Sequence, residues 1–407
     1  MKNIGFIGIG KLGLPCAEAI AQAGHNVFGY DLDTKGAVLV KQVSSIKQLV
    51  SKSDIVFITV PTPHDPLYDG KEPTAHLDPK DFDYTIVKNC IKEANKYMDR
   101  DQLLVLISTV LPGTTRREFV PLIQNTRFIY NPYLIAMGSV AWDMVNPEMV
   151  MIGTEDGSLT GDAKELVDFY KTVMQNNPRY EIGTWDECEC IKVFYNTFIS
   201  AKIGLVNMIQ DVAVKQGNIN VDVVTNALAN STMRIMGPQY MKAGMGDGGA
   251  CHPRDNIALR YLAKELNLGY DLFDSIMSAR EIQAENLAKE LVNQAAKHNL
   301  QVYIHGKAYK PNVPYCDGSY SILVGYYCSK LGYDPIYIDP LTENTVPESV
   351  KGVVLMAHSA EVTYSYTGRV MEDKFYCKFE PGTVFVDPWR KLSPIDGYTV
   401  IHYGNTR

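Results

Sequence analysis

Short apolar runs alternate with stretches of helical periodicity through the first 185 residues. Runs at 3–9, 26–30, 55–60, 103–108 and 127–130 are continuous enough in apolar and β-branched residues to read as buried strands. Stretches at 12–23, 82–97 and 114–124 repeat their apolar positions every three to four residues and read as helices. Short runs at 150–152 and 180–182 complete the set. Strands that alternate with helices in this way predict a parallel, doubly wound sheet.

The period changes near residue 186. Residues 187–216 contain no proline and a single glycine, Gly204, and predict one long helix. Segments 221–230, 256–266 and 271–298 are helical too, so this block is nearly all α. Apolar runs at 302–305, 335–339, 352–357, 383–387 and 398–402, with a helix at 319–330, then restore the alternation. The predicted architecture is an α/β chain in three parts. An N-terminal Rossmann-type doubly wound sheet spans 1–185, an all-α central region with the long helix spans 186–297, and a C-terminal Rossmann-like α/β domain spans 298–407.

Composition narrows the classes. A chain of 407 residues has length for two or three domains. The 39 basic and 46 acidic residues leave a net charge of −7, which argues against a broad polyanion surface and so against nucleic acid as a partner. Eight cysteines with no CxxC spacing predict reduced thiols, no zinc site and a cytoplasmic setting. No run of about 18 apolar residues exists, so no membrane span is expected. The first residues read as a strand entering a helix rather than a signal peptide.

Three motifs carry chemistry. Gly8-Ile9-Gly10-Lys11-Leu12-Gly13 is a GxGxxG that follows a strand and opens a helix. Gly8 allows a tight turn, Gly10 lets the backbone approach a pyrophosphate, and Gly13 lets the helix lie close to the strand. Asp31 ends the next strand, where a carboxylate accepts from the adenosine ribose hydroxyls and repels a 2′-phosphate, so NAD is favoured over NADP. Lys192 and Asn196 stand four residues apart on the long helix and share a face, with Asn207 three turns on. By itself that pair reads better as a solvated helix face, the usual place of Lys and Asn. Gly248–Asp255 reads GGACHPRD; Cys251 follows two glycines and precedes His252, Arg254 and Asp255, a setting that suits a nucleophilic thiolate. The alternative for a lone cysteine is a small buried hydrophobe.

With these motifs in order, the chain resembles the nucleotide-sugar 6-dehydrogenases, the UDP-glucose/GDP-mannose dehydrogenase family, nearly end to end. The resemblance rests on GIGKLGLP, VPTP (60–63), STVLPGT (108–114), NPYLIAMG (131–138), ECECIKVFYN (187–196), KIGLVN (202–207), GGACHPRD, GKAYKPN (306–312) and VDPWRKL (386–392). It implies oxidation of the C6 alcohol of a UDP-hexose to a carboxylate with two NAD. It implies attack by Cys251 on an aldehyde, oxyanion stabilisation by Lys192, and a water held by Asn196 and Asp255. Thr109 would stand near cofactor and sugar, with Val60, Thr62 and Ser108 completing the cofactor site. Arg234, Tyr240, Lys242, Gly248, Tyr309, Lys310 and Arg390 would hold the UDP-sugar, in a cleft between the two α/β domains. A homodimer through the long helix, and a product used in glycoconjugate synthesis, follow from the same resemblance.

The chain departs from the family's pattern at several positions. Tyr133 and Met137 stand where the family has two glutamates, one tied to thioester hydrolysis and one to NAD. Asp317 stands where a cofactor-contacting arginine is expected, Met208 replaces a frequent glutamate, and His252 and Arg254 replace an aromatic and a lysine. His252 or Asp255, both beside Cys251 in sequence, is the expected substitute base.

Overall fold

A computed structural model describes residues 1–33, 36–63, 77–78, 80–135, 139–159, 161–237, 243–249, 251–311, 313–358, 377–394 and 396–405. The side chains of residues 203, 204, 207, 251, 252, 254, 255, 258, 259 and 261 also lie outside the description. The chain divides into two compact units, Met1–Lys202 and Ile203–Arg407. Among the described residues no helix is long and apolar enough to cross a membrane.

The first unit is built on an eight-stranded sheet. Its strands are β1 (Asn3–Ile7), β2 (Asn26–Tyr30), β3 (Lys41–Gln42), β4 (Ile55–Ile58), β5 (Leu103–Leu106), β6 (Arg127–Tyr130), β7 (Met149–Thr154) and β8 (Arg179–Thr184). They lie in the order β3-β2-β1-β4-β5-β6-β7-β8. All neighbours run parallel except β6 and β7, which meet antiparallel at Tyr130 and Gly153. Both faces are covered, so alternate residues of one strand enter different cores: Ile55 and Phe57 join one, Val56 and Ile58 the other. Helix α1 (Gly13–Gln22) buries Cys16, Ala17 and Ile20 against the first core. Next come α2 (Ile46–Val50), whose Ser45 cap accepts from the Gln48 amide, and α3 (Thr85–Asn95), which buries Val87, Ile91 and Ala94 in the second core. Helices α4 (Val140–Val145) and α5 (Gly161–Tyr170) cover the first core near β7.

The helix expected at 114–124 is not one. A π turn at Thr115–Phe119 passes into a 3-10 turn at Val120–Leu122, and Ile123 is extended. Val120 keeps helical dihedrals but its amide reaches back to Thr115 O, and Pro121 has no amide hydrogen to donate to the preceding turn, so the i to i−4 pattern does not form.

Helix α6 (Trp185–Gln216) is the long helix, and it crosses from the first unit into the second. Then follow α7 (Val221–Ala229), α8 (Cys251–Glu265) and α9 (Leu272–His298). Helix α8 begins five residues before the expected 256, because Pro253 falls in the first turn, where a missing amide costs nothing. Asp271 caps α9 by accepting from the Asp274 amide, and Asn299 ends it in the left-handed conformation. Ala284, Leu287, Ala288, Leu291 and Ala295 of α9 form a stripe that packs on the second sheet.

That sheet is wholly parallel, in the order β10-β9-β12-β14-β15. Its strands are β9 (Gln301–His305), β10 (Ile336–Ile338), β12 (Gly352–Met356), β14 (Val384–Asp387) and β15 (Thr399–His402), with a small pair β11 (Ser349–Val350) and β13 (Lys378–Phe379) beside it. Helix α10 (Tyr320–Lys330) buries Tyr320, Val324 and Cys328 with the α9 stripe.

Candidate active site

The turn after β1 is shaped by its glycines. Gly8 has φ +94°, a conformation that side chains resist, and its amide donates to Tyr30 O at 2.8 Å. A Cβ on Gly13 would stand 2.0 Å from Gly8 O and 2.6 Å from Thr59 Oγ1, so helix and turn touch backbone to backbone. Gly10 is different: a Cβ there meets nothing within 4 Å, so its missing side chain leaves open space above the turn. The Ile9 amide donates to Asp31 Oδ2 at 2.9 Å, which locks the end of β2 against the turn.

Above the turn lies a cavity of about 1250 Å³. That exceeds the roughly 300–1,000 Å³ of ordinary small-molecule pockets and leaves room for an extended dinucleotide. Gly8, Gly10, Lys11 and Leu12 line one stretch of it, and Asp31 with Leu32 the stretch at the end of β2. Val60, Thr62, Ser108 and Thr109 line the ends of β4 and β5. Two side-chain bonds join those strand ends: Ser108 Oγ donates to Val60 O at 2.6 Å, and Thr62 Oγ1 donates to Thr109 O at 2.7 Å. The empty space at Gly10, the helix N-terminus beyond it and the carboxylate at Asp31 fit a pyrophosphate and a ribose. Ile9 and Gly13 do not line the cavity; they hold its floor.

The far wall was not foreseen. Leu32, Ile46, Ile86, Asn89 and Glu93 face the same space, from the loop after β2, from α2 and from α3. Leu32 is 91% exposed, an apolar side chain inside the polar run DLDTKG, and that oddity was the one sequence signal available.

Lys192 of α6 lines this cavity together with Thr109 and Tyr133. It is half-buried, and its Nζ donates to the Tyr133 carbonyl at 2.6 Å. Burial lowers the Lys192 pKa from its ordinary value. One turn earlier, fully buried Glu189 accepts from the Gly113 amide at 2.6 Å and the Thr115 amide at 2.7 Å. Burial raises the Glu189 pKa, against the pull of those donors. The first turns of α6 therefore tie down the loop after β5 through Glu189 and reach the loop after β6 through Lys192. Asn196, one turn further on, is exposed and does not line the cavity.

Tyr133 does not offer its hydroxyl to the cavity as a base. That hydroxyl is 2.7 Å from the hydroxyl of buried Tyr170, and Tyr170 donates to Asn131 Oδ1. Burial, reinforced by Tyr170, raises the Tyr133 pKa well above its ordinary value. Met137 lies outside the described residues.

In the second unit the turn after β9 repeats the layout of the first. Gly306 has φ +99°, its amide donates to Ile338 O at 3.0 Å, and buried Asp339 Oδ2 accepts from the Lys307 and Ala308 amides, each at 2.9 Å. Tyr309 follows, with Lys310 Nζ 5.1 Å from its ring centre. A Cβ on Gly248 would stand 2.9 Å from Tyr309 O, and one on Gly249 3.4 Å from the Tyr309 ring, so these two glycines of the GGACHPRD segment lie close against this turn. Arg390 donates to Ala243 O at 2.6 Å and Tyr403 O at 3.0 Å, bracing the same segment upstream. Arg234 is exposed. Tyr240 and Lys242 lie outside the described residues, as do the side chains of Cys251 and Asp255. The backbone places Cys251 at the first residue of α8.

A doubly wound sheet with a glycine turn, a carboxylate at the end of the second strand and a cavity fit for a dinucleotide defines an NAD-dependent oxidoreductase of Rossmann type. Comparison with known proteins places it further. Residues 36–174 match the NAD binding domain of the UDP-glucose/GDP-mannose dehydrogenase family, and residues 186–282 match its central domain. Residues 3–66 also match the NADP oxidoreductase, coenzyme F420-dependent family, over the glycine turn and Asp31. UDP-glucose 6-dehydrogenase YwqF of Bacillus subtilis is 26% identical over 86% of this chain and 85% of its own length. UDP-glucose 6-dehydrogenase TuaD of the same organism is 25% identical over 83% and 77%. In a ternary complex of GDP-mannose dehydrogenase from Pseudomonas aeruginosa, the fold matches with TM-score 0.77 at 19% identity, over 98% of this chain and 99% of that one. The chain belongs to the UDP-glucose/GDP-mannose dehydrogenase family.

Proposed function

We propose that the chain oxidises the C6 alcohol of a UDP-hexose, most simply UDP-glucose, to the carboxylate of UDP-glucuronate. One observation carries the proposal: the glycine turn and the half-buried Lys192 ammonium line one cavity, so a cofactor seated on the turn leads to a cation. The relatives named UDP-glucose 6-dehydrogenase, 25–26% identical, support the choice of substrate. Overall, RCH2OH, two NAD+ and one water give RCOO−, two NADH and three protons.

NAD, when bound, would accept one hydride, and a second NAD would accept the other. Its holders would be Gly8–Gly13, Asp31, Val60, Thr62, Ser108 and Thr109. At the aldehyde stage the Cys251 thiolate adds to the carbonyl carbon, forming the C–S bond of a thiohemiacetal. Lys192 donates to the oxygen that gains charge. Loss of hydride leaves a thioester, and attack by water breaks the C–S bond and returns the thiolate. The first turn of a helix is a favourable place for that thiolate, because unpaired amides there lower a thiol pKa. With the Tyr133 hydroxyl engaged by Tyr170, the base that activates the water is His252 or Asp255. Asn196 and Asp255 steady that water, and Arg234, Tyr240, Lys242, Gly248, Tyr309, Lys310 and Arg390 receive the UDP-sugar. Phe194, Phe198 and Ile199 are exposed along α6 and support pairing of this helix with a second copy.

Mixing the protein with NAD and a panel of UDP- and GDP-sugars, while following NADH absorbance, tests the proposal. Two NADH per UDP-glucose is expected. Faster turnover of a UDP-N-acetylhexosamine or GDP-mannose would change the substrate. One NADH per sugar means release at the aldehyde, and none across the panel means a nucleotide-sugar-binding protein without turnover.

A further inference from the structure

We infer that Tyr133 and Tyr170 are positioning residues for the oxidation, forming with Asn131 a buried brace that holds the carbonyl to which Lys192 is bonded. The inference rests on the proposed role of Lys192 at the substrate oxygen.

Residues 131–135 form the loop that leaves β6 for the cavity. Its start is fixed by the Asn131 amide, which donates to Leu106 O at 2.8 Å, and by Asn131 Nδ2, which donates to Met151 O of β7 at 2.6 Å. Its middle is fixed by the Tyr133 hydroxyl, 2.7 Å from that of Tyr170 at the end of α5, which in turn donates to Asn131 Oδ1. The hydroxyl chain closes on the residue that anchors the loop, so Tyr133 is tied at both backbone and side chain. Its carbonyl then has one direction, and Lys192 Nζ meets it at 2.6 Å. Among the described residues this carbonyl is the acceptor that orients the Lys192 ammonium. A glutamate here would bring a third acidic group to the cavity, beside Asp31 and Glu93; the tyrosine instead directs its polar atom into the core.

The brace makes a prediction about pH. A carbonyl held toward Nζ favours the ammonium form, and burial opposes it. The other titratable groups lining the cavity are Lys11, Tyr30, Asp31, Cys90, Lys92, Glu93, Lys96 and Tyr133, and on α6 Glu189 lies one turn away, bonded to backbone amides. Burial already lowers the Lys192 pKa; releasing the carbonyl removes the group that opposes it, so the ammonium loses its proton at lower pH still. In Tyr170→Phe, kcat should fall about tenfold, with KM for NAD within about twofold, because a misplaced catalytic group costs rate rather than cofactor binding. The alkaline limb of the kcat profile should move to lower pH. Tyr133→Phe should do the same, and it carries the test if Tyr170→Phe fails to fold. Lys192→Met separates the two ideas. If Lys192→Met keeps full turnover, the role of Lys192 is wrong. If Lys192→Met is inactive while either tyrosine variant folds and retains kcat and its alkaline limb, the brace is overturned, even where thermal stability falls.

Discussion

Gly10 and Gly13 lie three residues apart in one motif, and the structure gives them separable jobs. In Gly13→Ala the new methyl would sit 2.0 Å from Gly8 O and 2.6 Å from Thr59 Oγ1. The first of these is backbone in a tight turn and cannot swing aside. Overpacking of this kind costs about 1–3 kcal/mol, and a backbone neighbour puts it at the upper end. For a unit of this size each kcal/mol lowers Tm by about 2–4 °C, so a fall of roughly 4–12 °C is expected. In Gly10→Ala the methyl meets nothing within 4 Å, and φ is not positive, so Tm should stay within about 2 °C. That methyl does occupy the space through which a pyrophosphate reaches the turn. Losing one hydrogen bond to a charged group costs about 1.5–3 kcal/mol. NADH affinity should therefore fall about 10- to 100-fold. Fluorescence titration of NADH and a thermal melt, run on both variants, read the two effects side by side. Unchanged NADH binding by Gly10→Ala would refute the placement of the cofactor on this turn, and an unchanged melt for Gly13→Ala would refute the packing argument.

Two further outcomes are expected. Asp31→Ala removes the carboxylate proposed to accept from the ribose hydroxyls and to oppose a 2′-phosphate; the NAD/NADP ratio of kcat/KM should fall at least about tenfold, and an unchanged ratio would count against the ribose assignment. Glu189→Gln leaves one of the Gly113 and Thr115 amides facing an amide donor, at a cost of about 1–3 kcal/mol in urea unfolding. Because the native state raises the Glu189 pKa above its ordinary 4.5, wild-type stability should decline as pH climbs from there through the raised value. The glutamine variant should lack that slope, and its persistence would place it elsewhere.

The GIGKLG turn and Asp31 were readable in advance because each residue there does a backbone or charge task that few alternatives can do. The long α6 was equally plain, since nothing in 187–216 interrupts a helix. Segment 114–124 has helical apolar spacing, but Pro121 overrides it. The start of α8 went unseen for the opposite reason: Pro253 looks like a breaker, although a first turn tolerates it. Short α4, six residues long, carries too few turns for periodicity to separate it from a loop. At the site, Lys192 was singled out only through the family resemblance, since its spacing with Asn196 reads as a solvated face, and its acceptor was not legible because it is the main chain of a residue 59 positions away. Tyr133 stood out as a departure, yet its partner Tyr170 lies 37 residues further on, and only the packing of α5 on the sheet brings them together.

The account turns on whether sugar carbon becomes bonded to the sulfur of Cys251. Protein mixed with UDP-glucose and NAD, quenched in acid within a turnover and digested, should yield the Cys251 peptide heavier by the uronyl group, and Cys251→Ala should form no UDP-glucuronate. An unmodified Cys251 peptide, together with two NADH per sugar from Cys251→Ala, would contradict it.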